Sequence, residues 1–207
     1  KRIMEYYIYN VPVFVLEPTA EGLSIPQFCT EAEETLPVSM FVNIDVVYIG
    51  TFKELNNRNA AFANGAIYMT CTEPTVFDMI ENLVHEIAHS LETTHGQSLY
   101  TSNALRNEFL AKRKKLQQIL EAEGFHINPV LYSFTEYNNK FDNFLANEVG
   151  YPTLLTLTIG LFISPYGATS LQEYFANGFE KYFLGNPRAL REVSPILYEK
   201  IEEILDV

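Results

Sequence analysis

The chain is organised around the stretch Asn82-Leu83-Val84-His85-Glu86-Ile87-Ala88-His89-Ser90-Leu91-Glu92. It contains His-Glu-x-x-His inside a run whose apolar residues recur at helical spacing. His85 and His89 are four residues apart, so they stand on the same face of a helix. Two imidazoles placed in this way can bind one tetrahedral zinc ion, and Glu86 can act as a general base towards a water molecule. The stretch therefore predicts a zinc site on a helix.

Length and composition indicate an ordinary globular chain. Its 207 residues, 47% of them hydrophobic, suffice for one packed domain with two lobes around a cleft. We expect a single domain, with a mainly β N-terminal lobe over 1–72 and a helical lobe over 73–207 that carries the metal site. The net charge of -12 argues against nucleic acid as a partner, because nucleic-acid binding depends on basic side chains that neutralise phosphates.

Two further features of the sequence limit its structural class. The longest apolar run is too short to span a bilayer, so no integral membrane segment is predicted. Cys29 and Cys71 allow at most one internal disulfide, and neither fits a zinc constellation. We expect both cysteines to be free buried thiols.

Residues that favour β-structure cluster in three segments before the motif. They lie at about 6–15, 38–49 and 66–70, and prolines give the first segment the character of an edge strand. The 66–70 strand directly precedes the motif helix, and we expect it at the edge of a small mixed sheet. An extended protein or peptide substrate can add to such an edge by main-chain pairing.

Helical patterns dominate the rest of the chain. The motif helix is expected from about Thr75 to Gly96, followed by helices over 101–123, 170–185 and 190–205. The basic run at 112–115 is predicted to be a solvated helix face. The fold class is therefore predicted to be α+β, with a small mixed sheet and a mainly helical C-terminal lobe.

A catalytic zinc site needs a third protein ligand beside the histidine pair, and two candidates exist. His95 lies six residues after His89, the outer spacing of the metzincin signature, although Glu92 stands at its glycine position. Glu173 lies on a later helix, from which a carboxylate would complete a two-histidine, one-glutamate site. Since Glu173 also follows Ser170 at capping-box spacing, the spacing alone leaves its role open.

The string Tyr-Gly-x-Thr-x-x-x-Glu-Tyr-Phe-Ala, at 166–176, follows the His-Glu-x-x-His helix. This combination resembles the catalytic domain of anthrax lethal factor and its relatives, which include the secreted Pro-Pro endopeptidases. The Mlc titration factor A peptidases share a similar string. The resemblance implies a zincin-like fold, Glu173 as the third zinc ligand and Tyr166 as a hydrogen-bond donor to the developing oxyanion. It also implies that Glu92 can support a ligand histidine, whereas Asn177 departs from the glutamate of lethal factor.

The resemblance implies a zinc-dependent endopeptidase that acts on a protein or peptide substrate bound in extended form. One catalytic Zn²⁺ is expected. The implied site residues are His85, His89 and Glu173 for the metal, and Glu86 and Tyr166 for catalysis. The alternatives are a non-catalytic binding or regulatory module of zincin fold, and a metzincin-like peptidase that uses His95. The likeness to lethal factor and the start without methionine lead us to expect a toxin-like protein secreted by a bacterium, with an upstream domain or propeptide.

Overall fold

The computed structural model describes residues 2–206 and confirms an α+β fold. The chain divides into two compact units, one that ends at Gly96 and one that begins at Gln97. This division falls inside a helix, whereas the predicted lobes divide at 72 and 73; the single domain stays a prediction. Over the described residues, no helix has both the length and the apolar character that a membrane crossing requires.

A five-stranded mixed sheet forms the centre of the first unit. Its strands are β1 (Met4–Ile8), β2 (Val11–Val15), β3 (Val46–Gly50), β4 (Ala60–Ala63) and β5 (Ala66–Thr70). They lie in the order β1-β2-β3-β5-β4. The two outer pairs, β1 with β2 and β4 with β5, are antiparallel, and β2, β3 and β5 run parallel. The predicted small mixed sheet is therefore confirmed.

The edge of this sheet differs from the prediction. Strands β4 and β5 form a hairpin around Asn64 and Gly65, which both have positive φ (50° and 81°), as a two-residue type I′ turn requires. Strand β5 pairs with β3 on one side and β4 on the other, so the prediction that the 66–70 strand is an edge is wrong. The edge on this side of the sheet belongs to β4, and β1 forms the other edge. Strand β4 escaped prediction because Ala-Ala-Phe-Ala is short and alanine has a low strand propensity.

The first unit also contains α1 (Ile25–Thr35), 3₁₀ turns over Val38–Phe41 and Lys53–Leu55, and the motif helix α2 (Val76–Tyr100) as far as Gly96. Helix α2 buries one apolar stripe, formed by Met79, Ile80, Leu83, Val84, Ile87, Ala88 and Leu91. The helix continues four residues beyond Gly96, where we expected it to stop. A glycine ends a helix by adopting positive φ, and Gly96 is not among the residues that do so.

The second unit is helical. It contains α3 (Asn103–Ala122), α4 (Asn139–Asn143), α5 (Tyr151–Leu157), α6 (Leu171–Leu184), α7 (Pro187–Val193) and α8 (Pro195–Leu205). A π-helix spans Phe144–Gly150, and 3₁₀ turns span Pro129–Ser133 and Pro165–Ala168. The predicted helix over 170–185 is confirmed as α6, whereas the one predicted over 190–205 is two helices. Pro195 separates α7 from α8, because proline has no N–H to continue a helix.

The basic run on α3 is not the solvated face that we predicted. Lys112 is 8% exposed and Arg113 is 1% exposed, whereas Lys114 and Lys115 face solvent. The buried apolar residues of α3 are Leu105, Phe109, Leu116 and Leu120. Positions 112 and 113 continue the same helical stripe, so two cations occupy places that periodicity assigns to the core.

Candidate metal and catalytic site

Helix α2 brings His85 and His89 together. Their Nε2 atoms are 3.1 Å apart, and both side chains are half-buried. In a tetrahedral site, two nitrogens that each lie about 2.0–2.1 Å from zinc are about 3.3 Å from one another. The observed separation therefore fits two ligands of one zinc ion.

Glu92 orients one imidazole of this pair. Its Oε1 lies 3.5 Å from Nδ1 of His89, one helical turn earlier. A carboxylate on the Nδ1 side favours a proton on Nδ1, which directs the lone pair of Nε2 towards a metal. The structure thus gives Glu92 the contact with a candidate ligand histidine that the resemblance implied.

Glu86 lies at the edge of the sheet. The side chain is 5% exposed, and its Oε2 accepts a hydrogen bond from the main-chain N–H of Phe62 in β4 at 2.8 Å. Ala63 and Ala66 flank the two-residue turn as a hydrogen-bonded pair, so the N–H of Phe62 points away from β5. The candidate general base is therefore held against the outer edge of β4.

His95 lies on the same continuous helix as the histidine pair. A separation of six residues places it about 240° around the helix axis from His89 and about 9 Å along it. The third ligand of a metzincin-like site has to come from chain that leaves the helix before it. Because α2 runs on to Tyr100, its geometry argues against His95 as that ligand.

The other two predicted residues belong to the second unit. Tyr166 lies on the 3₁₀ turn Pro165–Ala168 and is 39% exposed, so it is not a core side chain. Glu173 lies in the first turn of α6, and its main-chain N–H donates to Oγ of Ser170 at 3.1 Å. The serine half of the predicted capping box is therefore present. Since it uses the main chain of Glu173, it does not exclude a metal role for the carboxylate.

The turn that carries Tyr166 packs closely on α6 through Asn177. Oγ of Ser164 donates to Oδ1 of Asn177 at 2.9 Å. A Cβ at Gly167 would lie 3.0 Å from the same oxygen, so a larger residue here would require the Asn177 side chain to shift. Asn177 thus fixes the Tyr166 turn to the helix of Glu173. The sequence showed Asn177 only as a departure from the lethal factor pattern, without a role.

Two further tyrosines surround Asp142 in the second unit. Asp142 accepts hydrogen bonds from the hydroxyls of Tyr137 at 2.6 Å and Tyr151 at 3.2 Å. The hydrogen bond to Asp142 and partial burial raise the pKa of Tyr137 to about 12. Burial raises the pKa of Tyr151, and Asp142 and Tyr166 add to this rise. Tyr151 and Tyr137 are therefore protonated at neutral pH. The electrostatic neighbour of Tyr166 is thus the neutral phenol of Tyr151.

A cleft of about 450 Å³ opens beside the start of α6. Arg106 and Glu136 place opposite charges on its wall, and both are exposed. The complete lining is Tyr100, Arg106, Thr135, Glu136, Tyr137, Leu171 and Gln172. Leu171 and Gln172 belong to the first turn of α6 and directly precede Glu173 in the sequence.

The comparisons with known proteins add no relative. No family model, no curated protein and no solved structure matches the chain. The function of the protein is therefore inferred from its own residues and from the local pattern that they form.

Proposed function

We propose that the protein is a zinc-dependent endopeptidase in which His85, His89 and Glu173 hold one Zn²⁺. The observation that carries this proposal is the 3.1 Å separation of the two Nε2 atoms, which matches two ligands of one tetrahedral zinc. Each of the three residues is half-buried and offers one ligand atom. The likeness of 166–176 to the lethal factor catalytic domain supports Glu173 as the third ligand.

Glu86 is the proposed general base. Zinc with three protein ligands acts as a Lewis acid and lowers the pKa of a bound water towards about 7. The Glu86 carboxylate accepts the proton of the attacking water and later delivers it to the leaving amine. The hydrogen bond from Phe62 holds this carboxylate at the strand edge, where a substrate main chain would lie.

Tyr166 is the proposed donor to the oxygen of the scissile carbonyl, which gains negative charge as water adds. Its exposure of 39% supports this role, because a donor to substrate has to be reachable from solvent. In other enzymes, removal of one such donor lowers the rate by about 10²–10³-fold.

The substrate is proposed to bind as an extended strand on the outer edge of β4, and no longer on the 66–70 strand. An end strand offers main-chain groups to an added strand, and Glu86 already lies on this side of β4. A mixed sheet whose end strand contacts the His-Glu-x-x-His helix also supports a zincin-like fold as part of the proposal.

The first experiment measures bound zinc by elemental analysis in the wild type, Glu173→Ala and His95→Ala. We expect one zinc per chain in the wild type and in His95→Ala, and loss of zinc in Glu173→Ala. Loss of zinc in His95→Ala alone would contradict the proposed ligand set. A wild type that binds no zinc in metal-replete buffer would contradict the proposed function.

The second experiment measures cleavage of a peptide library by the wild type and by Glu86→Gln. The amide keeps the size of the side chain but cannot take a proton, so we expect cleavage to fall by about 10²–10⁴-fold. Zinc content should stay unchanged, because Glu86 is not a proposed ligand. A zinc-loaded wild type that cleaves no peptide would instead favour the non-catalytic binding module.

A further inference from the structure

We propose that Arg113 is a positioning residue, which holds the turn of Tyr166 so that the tyrosine hydroxyl meets the substrate carbonyl in one orientation. The proposal rests on the role proposed above for Tyr166. Arg113 belongs to α3, more than fifty residues before that turn, and the sequence had placed it on a solvated face. In the structure, its guanidinium group is hydrogen-bonded to the chain at the end of this turn.

One edge of the guanidinium binds the chain directly after the Tyr166 turn. Nε donates to the carbonyl oxygen of Ala168 at 2.6 Å, and Nη2 donates to that of Thr169 at 3.0 Å. Arg113 itself is only 1% exposed, so these bonds form away from water. Two parallel bonds to successive carbonyls fix both the position and the direction of this segment.

Thr169 connects Arg113 to Tyr166 through hydrogen bonds. The main-chain N–H and the hydroxyl of Thr169 both donate to the carbonyl oxygen of Tyr166, at 3.1 and 2.7 Å. A continuous series of hydrogen bonds therefore runs from Arg113 through Thr169 to Tyr166. Displacement of the guanidinium would release the residue that holds the Tyr166 main chain.

The opposite end of the guanidinium is anchored elsewhere in the second unit. Nη1 donates to the carbonyl oxygens of Leu131 at 3.1 Å and Tyr132 at 3.5 Å. The guanidinium also lies over two aromatic rings, 4.2 Å from the centroid of Phe141 and 4.8 Å from that of Phe109. Arg113 thus ties the Tyr166 turn to the 3₁₀ turn Pro129–Ser133.

The chemistry of this site requires arginine. Within residues 2–206, the hydrogen-bond acceptors of Arg113 are all main-chain carbonyls. Burial lowers the pKa of Arg113, and the carbonyl dipoles and ring faces stabilise its charge. A lysine at this position has no planar fork, so it cannot bind both turns at once.

Lys112 provides a matched control for Arg113. It is also buried, and its Nζ donates to the carbonyl oxygens of Leu161 and Val193, both at 2.7 Å. These acceptors are not in the Tyr166 turn. A variant of Lys112 therefore removes a buried cation and its carbonyl contacts without touching the constraint on Tyr166.

The test is a double-mutant cycle that combines Arg113→Lys with Tyr166→Phe, with Lys112→Met as the control and rates expressed per bound zinc. We expect Arg113→Lys to lower kcat by about 10-fold with little change in KM, because a shifted donor affects mainly the transition state. In the Tyr166→Phe background it should lower kcat by less than about 2-fold, since the group that it positions is absent. Lys112→Met should leave kcat of the folded protein within about 2-fold.

Amide hydrogen exchange tests the same proposal without activity. Arg113→Lys should accelerate exchange at Gly167 and Thr169, whose N–H groups are bonded within the Tyr166 turn. Lys112→Met should instead accelerate exchange at Leu161 and Ser194. If Arg113→Lys does not fold, Phe141→Leu removes one ring beneath the guanidinium and should give the same pattern in a milder form.

The outcomes separate this proposal from the proposed function. If the wild type cleaves peptides but the losses from Arg113→Lys and Tyr166→Phe multiply, Arg113 does not act through Tyr166. Unchanged exchange at Gly167 and Thr169 would also overturn the positioning role. If the zinc-loaded wild type cleaves nothing, the proposed function fails, and the role of Arg113 fails with it.

Discussion

At the scale of single residues, the candidate site depends on what each side chain touches as much as on its type. Glu92 beside Nδ1 of His89 directs that imidazole, and the N–H of Phe62 holds Glu86. The first contact lies within the motif helix, and the second joins this helix to strand β4, 24 residues earlier in the chain. These contacts hold the side chains of His89 and Glu86 in place, and the sequence motif alone does not reveal them.

The two cysteines illustrate the same dependence on surroundings. Cys29 in α1 and Cys71 after β5 are both free and buried, as predicted from the sequence. Burial, with a smaller contribution from the charge of Glu33, raises the pKa of Cys29 to about 11. The thiolate is the reactive form of cysteine, so Cys29 should be inert near neutral pH.

We therefore predict that Cys29 in the native protein is alkylated slowly at pH 8. Labelling with iodoacetamide, detected by mass spectrometry, measures this rate. Labelling in urea, where the thiol pKa returns to about 8.5, is the control. Because folding raises the pKa of Cys29, the free energy of unfolding also depends on pH. The contribution of the protonated thiol to this free energy is complete below about pH 8.5 and is lost as the pH rises towards 11. Equal labelling rates at pH 8 in the native and urea-unfolded chains would contradict this prediction.

At the scale of elements, helix α6 combines a candidate ligand with a close helix contact. Glu173 lies in its first turn, and Gly178 lies further along, where α8 approaches. A Cβ at Gly178 would be 2.7 Å from Cγ of Leu197, a fully buried side chain. The glycine thus permits a distance between α6 and α8 that no other residue allows.

Gly178→Ala should lower the free energy of unfolding by about 1–3 kcal/mol, because the added methyl group overpacks the contact with Leu197. Urea unfolding followed by circular dichroism measures this change. Gly96→Ala in α2 is the matched control, since the nearest atom to its Cβ is 3.9 Å away. That substitution should be neutral or stabilising by up to about 1 kcal/mol. A neutral Gly178→Ala would contradict the prediction that the contact with Leu197 leaves no room for a methyl group.

At the scale of the whole molecule, the proposed ligands are two histidines near the middle of the sequence and one glutamate later in it. A metal that binds only the folded chain stabilises it by mass action, by about 4 kcal/mol at a free concentration of 1,000 times Kd. Thermal stability is therefore a direct measure of zinc binding that is independent of any substrate.

We predict that removal of metal with a chelator lowers the melting temperature of the wild type, and that added zinc restores it. Glu173→Ala should show a much smaller zinc-dependent shift, because it lacks one proposed ligand. His95→Ala should respond like the wild type. Differential scanning fluorimetry over a zinc titration measures all three proteins. Equal shifts in the wild type and Glu173→Ala would remove Glu173 from the ligand set.

Much of the local structure followed from the sequence. Apolar spacing predicted the motif helix, and Ser170 and Gly185 predicted the ends of α6. The four-residue spacing of His85 and His89 placed their imidazoles together, because a helix brings such positions onto one face. These features depend on neighbours within one element, which a linear pattern records.

Pairing between distant segments was decided only by the tertiary structure. We predicted β5 at the edge of the sheet, but β4 occupies this edge. The turn at Asn64 and Gly65 pairs the short alanine-rich strand β4 with β5. Lys112 and Arg113 are buried because carbonyls up to 81 residues away along the chain accept their hydrogen bonds. The run of positive charge led us to predict a solvated face, although both positions continue the helical stripe of Leu105, Phe109 and Leu116. Both side chains are buried because distant main-chain carbonyls accept their hydrogen bonds, and a local sequence pattern does not reveal these acceptors.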